Sequence, residues 1–493
     1  MPPLPPAATA HLTAPVGAGG VADPDAHGEA GGAECGDLVR IELALGGGVV
    51  SEIGFRAIGC PAATAAASAA CALLAGATVD DALSLTPADL DAALGGLRPA
   101  HRHGPDLVVE ALARALERWF SDRLGSGSPG AGAGTRVAVA MSGGVDSAVA
   151  ALLLHQAGFD VVGVTMRLWH DPAATLAERS CCAPETVRLA RASAHAIGVP
   201  HLTLDVAERF RRVVVDDFVS GYAAGRTPNP CVTCNGEARF SILADAADLL
   251  GARWLASGHY ARIDDAGPEP VVARARDRRK DQSYMLARLP ADLLARIRFP
   301  LGGLAKDEVR ARARAAAMPA ADAVESQEIY FVGADGYAPF LERAGLDASP
   351  GPILDESGAV VGEHAGHWRF TVGQRRGLGL SGPEPRYVTR IDAARNAVTV
   401  GGPESLAVTR LGLERVVVRE DIGDAPVEIR VRYRGASVDG VARPDGPGRL
   451  VVDLDEPARG VAPGQTAALY RNDRLVAAGS IAEYPRSSET EVP

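Results

Sequence analysis

Nowhere does the sequence offer a run of about 18 apolar residues able to cross a bilayer. Its first thirty residues, rich in Pro, Ala and Gly, also lack the basic start and continuous apolar stretch of a secretion signal. A cytoplasmic protein with no membrane partner is therefore expected. Cysteine is sparse: seven among 493 residues, namely Cys35, Cys60, Cys71, Cys181, Cys182, Cys231 and Cys234. An odd number spread over so long a chain is no disulfide scaffold and points to metal or sulfur chemistry. No internal repeat is evident, which excludes a solenoid. A chain of this length exceeds what one core usually supports, so several domains are expected.

The net charge of −11 argues at first against a nucleic-acid partner. Its distribution changes that reading, because residues 1–130 hold seven Arg and fifteen Asp or Glu, leaving the remainder nearly neutral. ARARDRRKDQ (273–282) and VRARAR (309–314) are solvated faces or a phosphate-binding surface.

Composition and periodicity divide the chain. Residues 1–34 read as a disordered lead. DLVRIELALGGGVVSEIGFRAIGC then alternates apolar and polar residues around a GGG turn, predicting a hairpin, and two helical stretches complete an α+β unit over 35–120. The Gly/Ser-rich tract 121–135 reads as a flexible tether. From Arg136, apolar strands alternate with helices, predicting a parallel sheet covered on both faces over 136–340. Short strands dominate thereafter, predicting a β-rich adaptor (341–408), a β-barrel (409–485) and a tail (486–493).

The sharpest motif is AMSGGVDS, from Ala140 through Met141, Ser142, Gly143, Gly144, Val145 and Asp146 to Ser147, between a strand and a helix. Small residues let backbone amides approach a phosphate, and the helix turns its positive end toward the same anion. The lysine of GxxxxGK[ST] is missing, which excludes that loop. Asp146 suits magnesium, and Ser147 can add a hydroxyl donor.

SGGVDS in this setting resembles the loop of the ATP pyrophosphatase (PP-loop) superfamily. GRTPNPCVTCN (225–235), ASGHYAR (256–262), KDQSYMLARL (280–289), FTVGQRRGLG (370–379) and VRYRG (431–435) narrow the resemblance to the tRNA-specific 2-thiouridylase family, over residues 136 to about 485. That resemblance implies an adenine nucleotide alpha hydrolase-like fold. ATP would lie against Ala140 to Ser147, Met166 and Gly258, and magnesium would assist. It implies tRNA contacts at His259, at Lys280, Asp281, Gln282, Ser283 and Tyr284, at Arg432 and Tyr433, and at Gln465. Its reaction adenylates the C2 oxygen of the wobble uridine, and sulfur then displaces AMP.

The family's reactive cysteine corresponds to Cys234. A second cysteine, the persulfide carrier of segments such as STGICFIG, is Tyr330 here, in SQEIYFVG. Tyr330 cannot hold a persulfide, so the usual two-cysteine relay cannot operate. Cys231 stands three residues before Cys234, and Cys181 and Cys182 lie upstream. One reading is a 4Fe–4S cluster held by Cys231, Cys234 and one of Cys181 or Cys182; the other is a Cys231/Cys234 persulfide–disulfide exchange pair.

In front, CGD (35–37), GCP (59–61) and RHGPDLVVEAL (102–112) resemble the U-type iron–sulfur scaffold proteins. Cys35, Asp37, Cys60 and His103 match that family's ligands for zinc or a labile cluster, whereas its last cysteine is Gly104 here. Cys71 reads as core. Delivery of sulfur or a cluster in cis would explain the fusion, with a cysteine desulfurase or sulfur relay protein as partner; a degenerate docking module is the alternative. Two rival functions remain at this point. Another PP-loop adenylating enzyme would not need GRTPNPCVTCN, and a non-catalytic iron–sulfur or sulfur carrier would show no ATP turnover.

Overall fold

A computed structural model describes residues 4–31, 36–127, 132, 134–173, 183–323, 331–332, 336–381 and 384–482. Cys35, Cys181, Cys182 and Tyr330 lie outside the described residues, as does the whole tail 486–493.

The front domain is an antiparallel sheet, β1 (Ala26–Gly31), β2 (Leu38–Gly46) and β3 (Val49–Ile58), backed by helices. Gly46 faces Val49, so Gly47 and Gly48 form the two-residue turn; both have positive φ (62° and 79°), as a tight hairpin of this hand needs. The helices are α1 (Pro6–Thr13), α2 (Pro61–Leu74), α3 (Val79–Ser84), α4 (Pro87–Ala93) and α5 (His103–Ser121). Thr78 with Asp81 and Thr86 with Asp89 form capping boxes that start α3 and α4. The structure differs from the expected disordered lead, since α1 and β1 belong to this domain. Ala8, Val21, Ala26 and Ala30 are at most 5% exposed. Short side chains, which read as low complexity, are what allow the lead to pack closely here.

The central sheet runs β10-β7-β4-β5-β6, all parallel, as the alternating pattern predicts. Its strands are β4 (Val137–Ala140), β5 (Val161–Arg167), β6 (His201–Asp205) and β7 (Trp254–Ser257); β10 (Ile297–Arg298) follows the hairpin β8 (Ala261–Asp264) and β9 (Val271–Arg274). Helices α6 (Val145–Gln156) and α7 (Pro184–His195) connect the first three. The adaptor sheet comprises β11 (Pro350–Leu354), β12 (Val360–Ala365), β13 (Tyr387–Asp392) and β14 (Ala397–Gly401). The C-terminal strands are β15 (Val408–Val418), β16 (Val427–Arg430), β17 (Val438–Pro444), β18 (Leu450–Ala458), β19 (Thr466–Arg471) and β20 (Arg474–Ile481). They close through β15–β20 pairing into a six-stranded barrel, and β9 pairs with β20 at Ala273 and Arg474. The hairpin β8–β9 thus grows from the central domain into the barrel's sheet.

Despite the tether-like composition of 121–135, the front domain packs directly on the central one. Helix α5 lies between β1 and β6, with Val108, Val109, Leu112, Leu116 and Phe120 buried. It covers the edge strand β6, whose first four residues are consequently buried. Polar pairs cross the same boundary: Arg191 to Glu110 at 2.8 Å, Arg167 to Glu117 at 2.7 Å and Arg136 to Asp80 at 2.7 Å. The Asp205 amide donates to Ser121 Oγ at 2.9 Å, and His195 Nε2 lies 3.1 Å from the Leu83 carbonyl oxygen.

Candidate active site

The phosphate loop leaves the carboxyl end of β4, where open parallel sheets bind ligands. Its shape is set internally. Ser147 Oγ accepts the Ser142 amide at 3.1 Å and donates to the Gly144 carbonyl at 3.0 Å, while Thr165 Oγ1 of β5 donates to the Met141 carbonyl at 2.8 Å. Gly143 has φ +74°, and a Cβ there would lie 2.5 Å from the Thr186 carbonyl oxygen. At Gly258, just beyond β7, a Cβ would meet the Asp146 carbonyl carbon and the Ser147 amide at 2.6 Å. Both glycines let neighbouring backbone close in on the loop at the start of α6, the kind of helix amino end that takes phosphates, so these residues fit ATP. Ala140, Met141 and Met166 lie on or beside adjoining strands, with Met166 8% exposed.

Sequence reasoning missed two residues of this site. Lys306 Nζ donates to both Asp146 carboxylate oxygens at 2.7 Å, and Tyr260 OH donates to Oδ1 at 2.9 Å. One signal was available for the first: the whole chain contains only two lysines, Lys280 and Lys306. Asp146 Oδ2 accepts a single one of these bonds. A lone pair therefore stays available for magnesium.

Cys231 and Cys234 lie on successive helical elements, Pro230–Thr233 and the π-type turn Cys234–Arg239, three residues apart and thus on one side. Asn229 caps the first by accepting the Val232 amide. Cys234 is 4% exposed. Burial, and next the neighbouring Cys234, push the Cys231 thiol up to about 11, with Arg239 opposing. The barrel flanks this segment: Thr227 N donates to the Pro463 carbonyl at 2.8 Å, Gln465 Nε2 donates to the Thr227 carbonyl at 2.9 Å, and Cys231 is among the groups acting on Tyr433. Tyr433 lies 6.1 Å from Tyr284, and the Arg434 guanidinium stands over the Tyr433 ring. Arg432 is exposed on the same barrel turn.

Asp281, Ser283 and Tyr284 are buried, whereas Lys280 and Gln282 are partly exposed. Tyr284 OH donates to the Thr466 carbonyl at 2.8 Å, and Ser283 Oγ meets Tyr470 OH at 3.0 Å. As placed here, these side chains join the central domain to the barrel. His259 is half-buried between Phe240 and Phe299, with Nδ1 2.8 Å from Ser257 Oγ. Burial, and next Arg239, lower its pKa to about 3, so the ring is neutral.

In the front domain, Asp37, Cys60 and His103 bring three donor atoms within 4.8 Å of one another. His103 Nε2 is 2.7 Å from Asp37 Oδ2 and 3.3 Å from Cys60 Sγ, and the Cys60 amide donates to Asp37 Oδ1 at 2.8 Å. Burial pushes Asp37 upward, but the Cys60 amide and the His103 and Cys60 side chains outweigh it and leave the carboxyl below its ordinary value. Burial, and the Asp37 charge, push the Cys60 thiol up. Sulfur, nitrogen and oxygen donors at this spacing suit zinc or a labile cluster. Among the described residues no other such trio occurs. At Gly104, a Cβ would lie 2.9 Å from the Ala62 carbonyl carbon and the Ala63 amide, because α5 and α2 meet there backbone to backbone. Cys71 is buried, and desolvation pushes its thiol up to about 12, as a core residue requires.

The trio sits at the amino end of α5, whereas the carboxyl end, through Ser121 and Glu117, meets the carboxyl ends of β6 and β5. At the helical rise, His103 and Ser121 are separated by about 27 Å.

Four sequence families match the chain: a NifU-like N terminal domain over 7–124, a tRNA methyl transferase HUP domain over 135–334, a tRNA methyl transferase PRC-barrel domain over 339–402, and an aminomethyltransferase beta-barrel domain over 415–481. The chain is 45% identical to the bifunctional protein NifU/MnmA of Rubrobacter xylanophilus over 482 residues, 96% of this chain and 97% of that one. It is 45% identical to the tRNA-specific 2-thiouridylase MnmA of Sorangium cellulosum, covering 72% of this chain and 94% of that one. For the Acidithiobacillus ferrooxidans protein of the same name the figures are 43%, 70% and 97%.

Proposed function

The chain belongs to the tRNA-specific 2-thiouridylases, in the bifunctional form that carries a NifU-like domain in front, and from that premise we propose the following chemistry and sites. ATP binds the loop Ala140–Ser147, with Met166 and Gly258 beside it and magnesium taken by Asp146. The wobble uridine attacks the α-phosphate through its C2 oxygen and pyrophosphate leaves. Sulfur then adds at C2 and AMP departs with that oxygen. Cys234 serves the sulfur transfer, as a cluster ligand or as the reacting thiol according to the two routes below, and the segment 225–235, gripped between central domain and barrel, presents it. His259, Lys280, Arg432, Tyr433 and Gln465 serve the tRNA, while Asp281, Ser283 and Tyr284, which the family resemblance also assigned to it, are turned inward to the barrel and hold that segment in place. The single observation that carries this reading is the SGGVDS loop at the carboxyl end of β4, packed close to its neighbours through Gly143 and Gly258, in a chain that also has GRTPNPCVTCN.

For the sulfur source we favour a 4Fe–4S cluster on Cys231, Cys234 and Cys181 or Cys182. Two thiols on one side of a helical turn fit such a group. When bound, the cluster would supply a coordination position for sulfide. A persulfide–disulfide exchange between Cys231 and Cys234 is the competing route. In the front domain, Cys35, Asp37, Cys60 and His103 hold zinc or a labile cluster, with a cysteine desulfurase or relay protein as partner. Helix α5, about 27 Å long, has this trio at one end and its contacts with the carboxyl ends of β5 and β6 at the other. Among the described residues no helix is long and apolar enough to cross a membrane. We place the enzyme in the cytoplasm, with its tRNA.

Expression in cells lacking the family's enzyme tests the reading through the 2-thiouridine content of their tRNA. Restored thiolation that disappears with Cys234→Ala is expected. A folded protein that restores none, and turns over no ATP, would instead favour the non-catalytic carrier, the reading that Tyr330 motivates. Iron content of anaerobically purified protein separates cluster from exchange pair.

A further inference from the structure

The side chains of residues 281–284 divide between two neighbours. Toward the barrel, Ser283 Oγ meets Tyr470 OH at 3.0 Å, Tyr284 OH donates to the Thr466 carbonyl at 2.8 Å, and Asp281 lies 3.6 Å from Arg430. Toward the nucleotide loop, Gln282 clasps one residue twice: its Oε1 accepts the Tyr260 amide at 2.9 Å, and its amide donates to the Tyr260 carbonyl at 2.8 Å. Tyr260, 2% exposed, then donates its hydroxyl to Asp146. Hydrogen bonds linked through the backbone of residues 282–284 and the Tyr260 side chain therefore lead from strand β19 of the barrel to the carboxylate in the first turn of α6.

We propose that Tyr260 is a positioning residue for the nucleotide loop and that Gln282, by fixing Tyr260, ties the aim of Asp146 to the seating of the barrel. The proposal rests on the reading that this loop takes ATP. Lys306 supplies the charge that Asp146 needs and bridges both its oxygens but, as a point-like ammonium on a flexible stem, it does not by itself fix the direction in which Oδ1 points. Tyr260 does so, because its ring is held by burial and its backbone by two bonds from Gln282. A residue that only touched tRNA would leave nucleotide binding untouched when tRNA is absent. A positioning residue would not.

The test uses the full-length chain with Tyr260→Phe and Gln282→Met, both checked for folding by thermal melting. Binding of α,β-methylene-ATP with magnesium is measured by calorimetry without tRNA, and tRNA-dependent pyrophosphate release is measured separately. Losing one hydrogen bond to a charged acceptor should weaken analogue binding about tenfold in Tyr260→Phe and lower kcat by a similar factor, with KM for tRNA unchanged. Gln282→Met should change both quantities in the same direction by about threefold, since it acts through Tyr260. Unchanged analogue affinity and kcat in Tyr260→Phe, or a Gln282→Met effect confined to KM for tRNA, overturns the proposal. If Tyr260→Phe does not fold, Gln282→Met decides alone. Wild-type protein that binds the analogue but releases no pyrophosphate with tRNA overturns the thiolation reading, and the binding arm still judges this one.

Discussion

Arg191→Ala tests whether the front domain is docked, as the structure has it, or tethered, as the composition of 121–135 suggests. Arg191 and Glu110 are 12% and 28% exposed and 2.8 Å apart. Removing one partner of a fully buried pair costs roughly 3–5 kcal/mol; Glu110 keeps Arg114 at 3.1 Å and some solvent, which reduces this to about 2 kcal/mol. That is about a thirtyfold loss in the ratio of docked to undocked protein. The Asp205 amide reports it directly, because its hydrogen bond goes to Ser121 across the boundary. Hydrogen exchange at Asp205 should accelerate about thirtyfold in Arg191→Ala if exchange follows undocking. A double-mutant cycle with Glu110→Ala should return a coupling of about 1 kcal/mol or more. Exchange at Asp205 that is already unprotected in the wild type, or that ignores Arg191→Ala, would refute the docked arrangement.

Gly104→Cys should fail to restore the full scaffold ligand set, because its Cβ would lie 2.9 Å from the α2 backbone. About 1–3 kcal/mol of destabilisation, and no tighter zinc binding by titration, is the expected result. Cys231, pushed to about 11, should react with iodoacetamide at a rate that climbs about tenfold per pH unit through pH 9 and 10 without a plateau, read by mass spectrometry of its peptide. A plateau near pH 8 would show that its thiolate is stabilised. With two lysines in the chain, amine acylation should label partly exposed Lys280 well before Lys306, which is 6% exposed and paired with Asp146. Asp146→Asn should reduce that protection, and Lys306→Met should weaken ATP-analogue binding at least tenfold.

The parallel sheet, the phosphate loop and the β-rich C-terminal part were legible because each is written locally, in an alternation of strand and helix or in one contiguous string. The Lys306–Asp146 pair was not, since its members stand 160 positions apart and only the fold brings them together. Docking of the front domain was hidden by the Gly/Ser-rich tract, yet α5 carried a signal. Its apolar residues come in adjacent pairs, Val108 with Val109 and Leu112 with Ala111, too broad a stripe for a helix that buries one face only. KDQSY was assigned to tRNA on resemblance alone. That three of its side chains turn inward to the barrel depends on the hairpin β8–β9 joining that barrel, which no local pattern announces.

The departures from the two family patterns fall on one side of the chemistry. On the two resemblances, Tyr330 stands where one family has its persulfide carrier and Gly104 where the other has a cluster ligand, both of them sulfurs. On the nucleotide side the corresponding groups are in place, from Ser142 to Ser147, with Gly258, Tyr260 and Lys306 around Asp146. At Gly104 the contact with α2 is closed to any side chain, so the loss is built into the packing and a point reversion does not undo it. We therefore propose that this chain takes its sulfur by a different route from the two-cysteine relay. The cysteines left to serve that route in the central domain are Cys181, Cys182, Cys231 and Cys234. Substituting Cys181 and Cys182 together should therefore stop thiolation while leaving ATP-analogue binding intact, whereas an exchange confined to Cys231 and Cys234 would survive it.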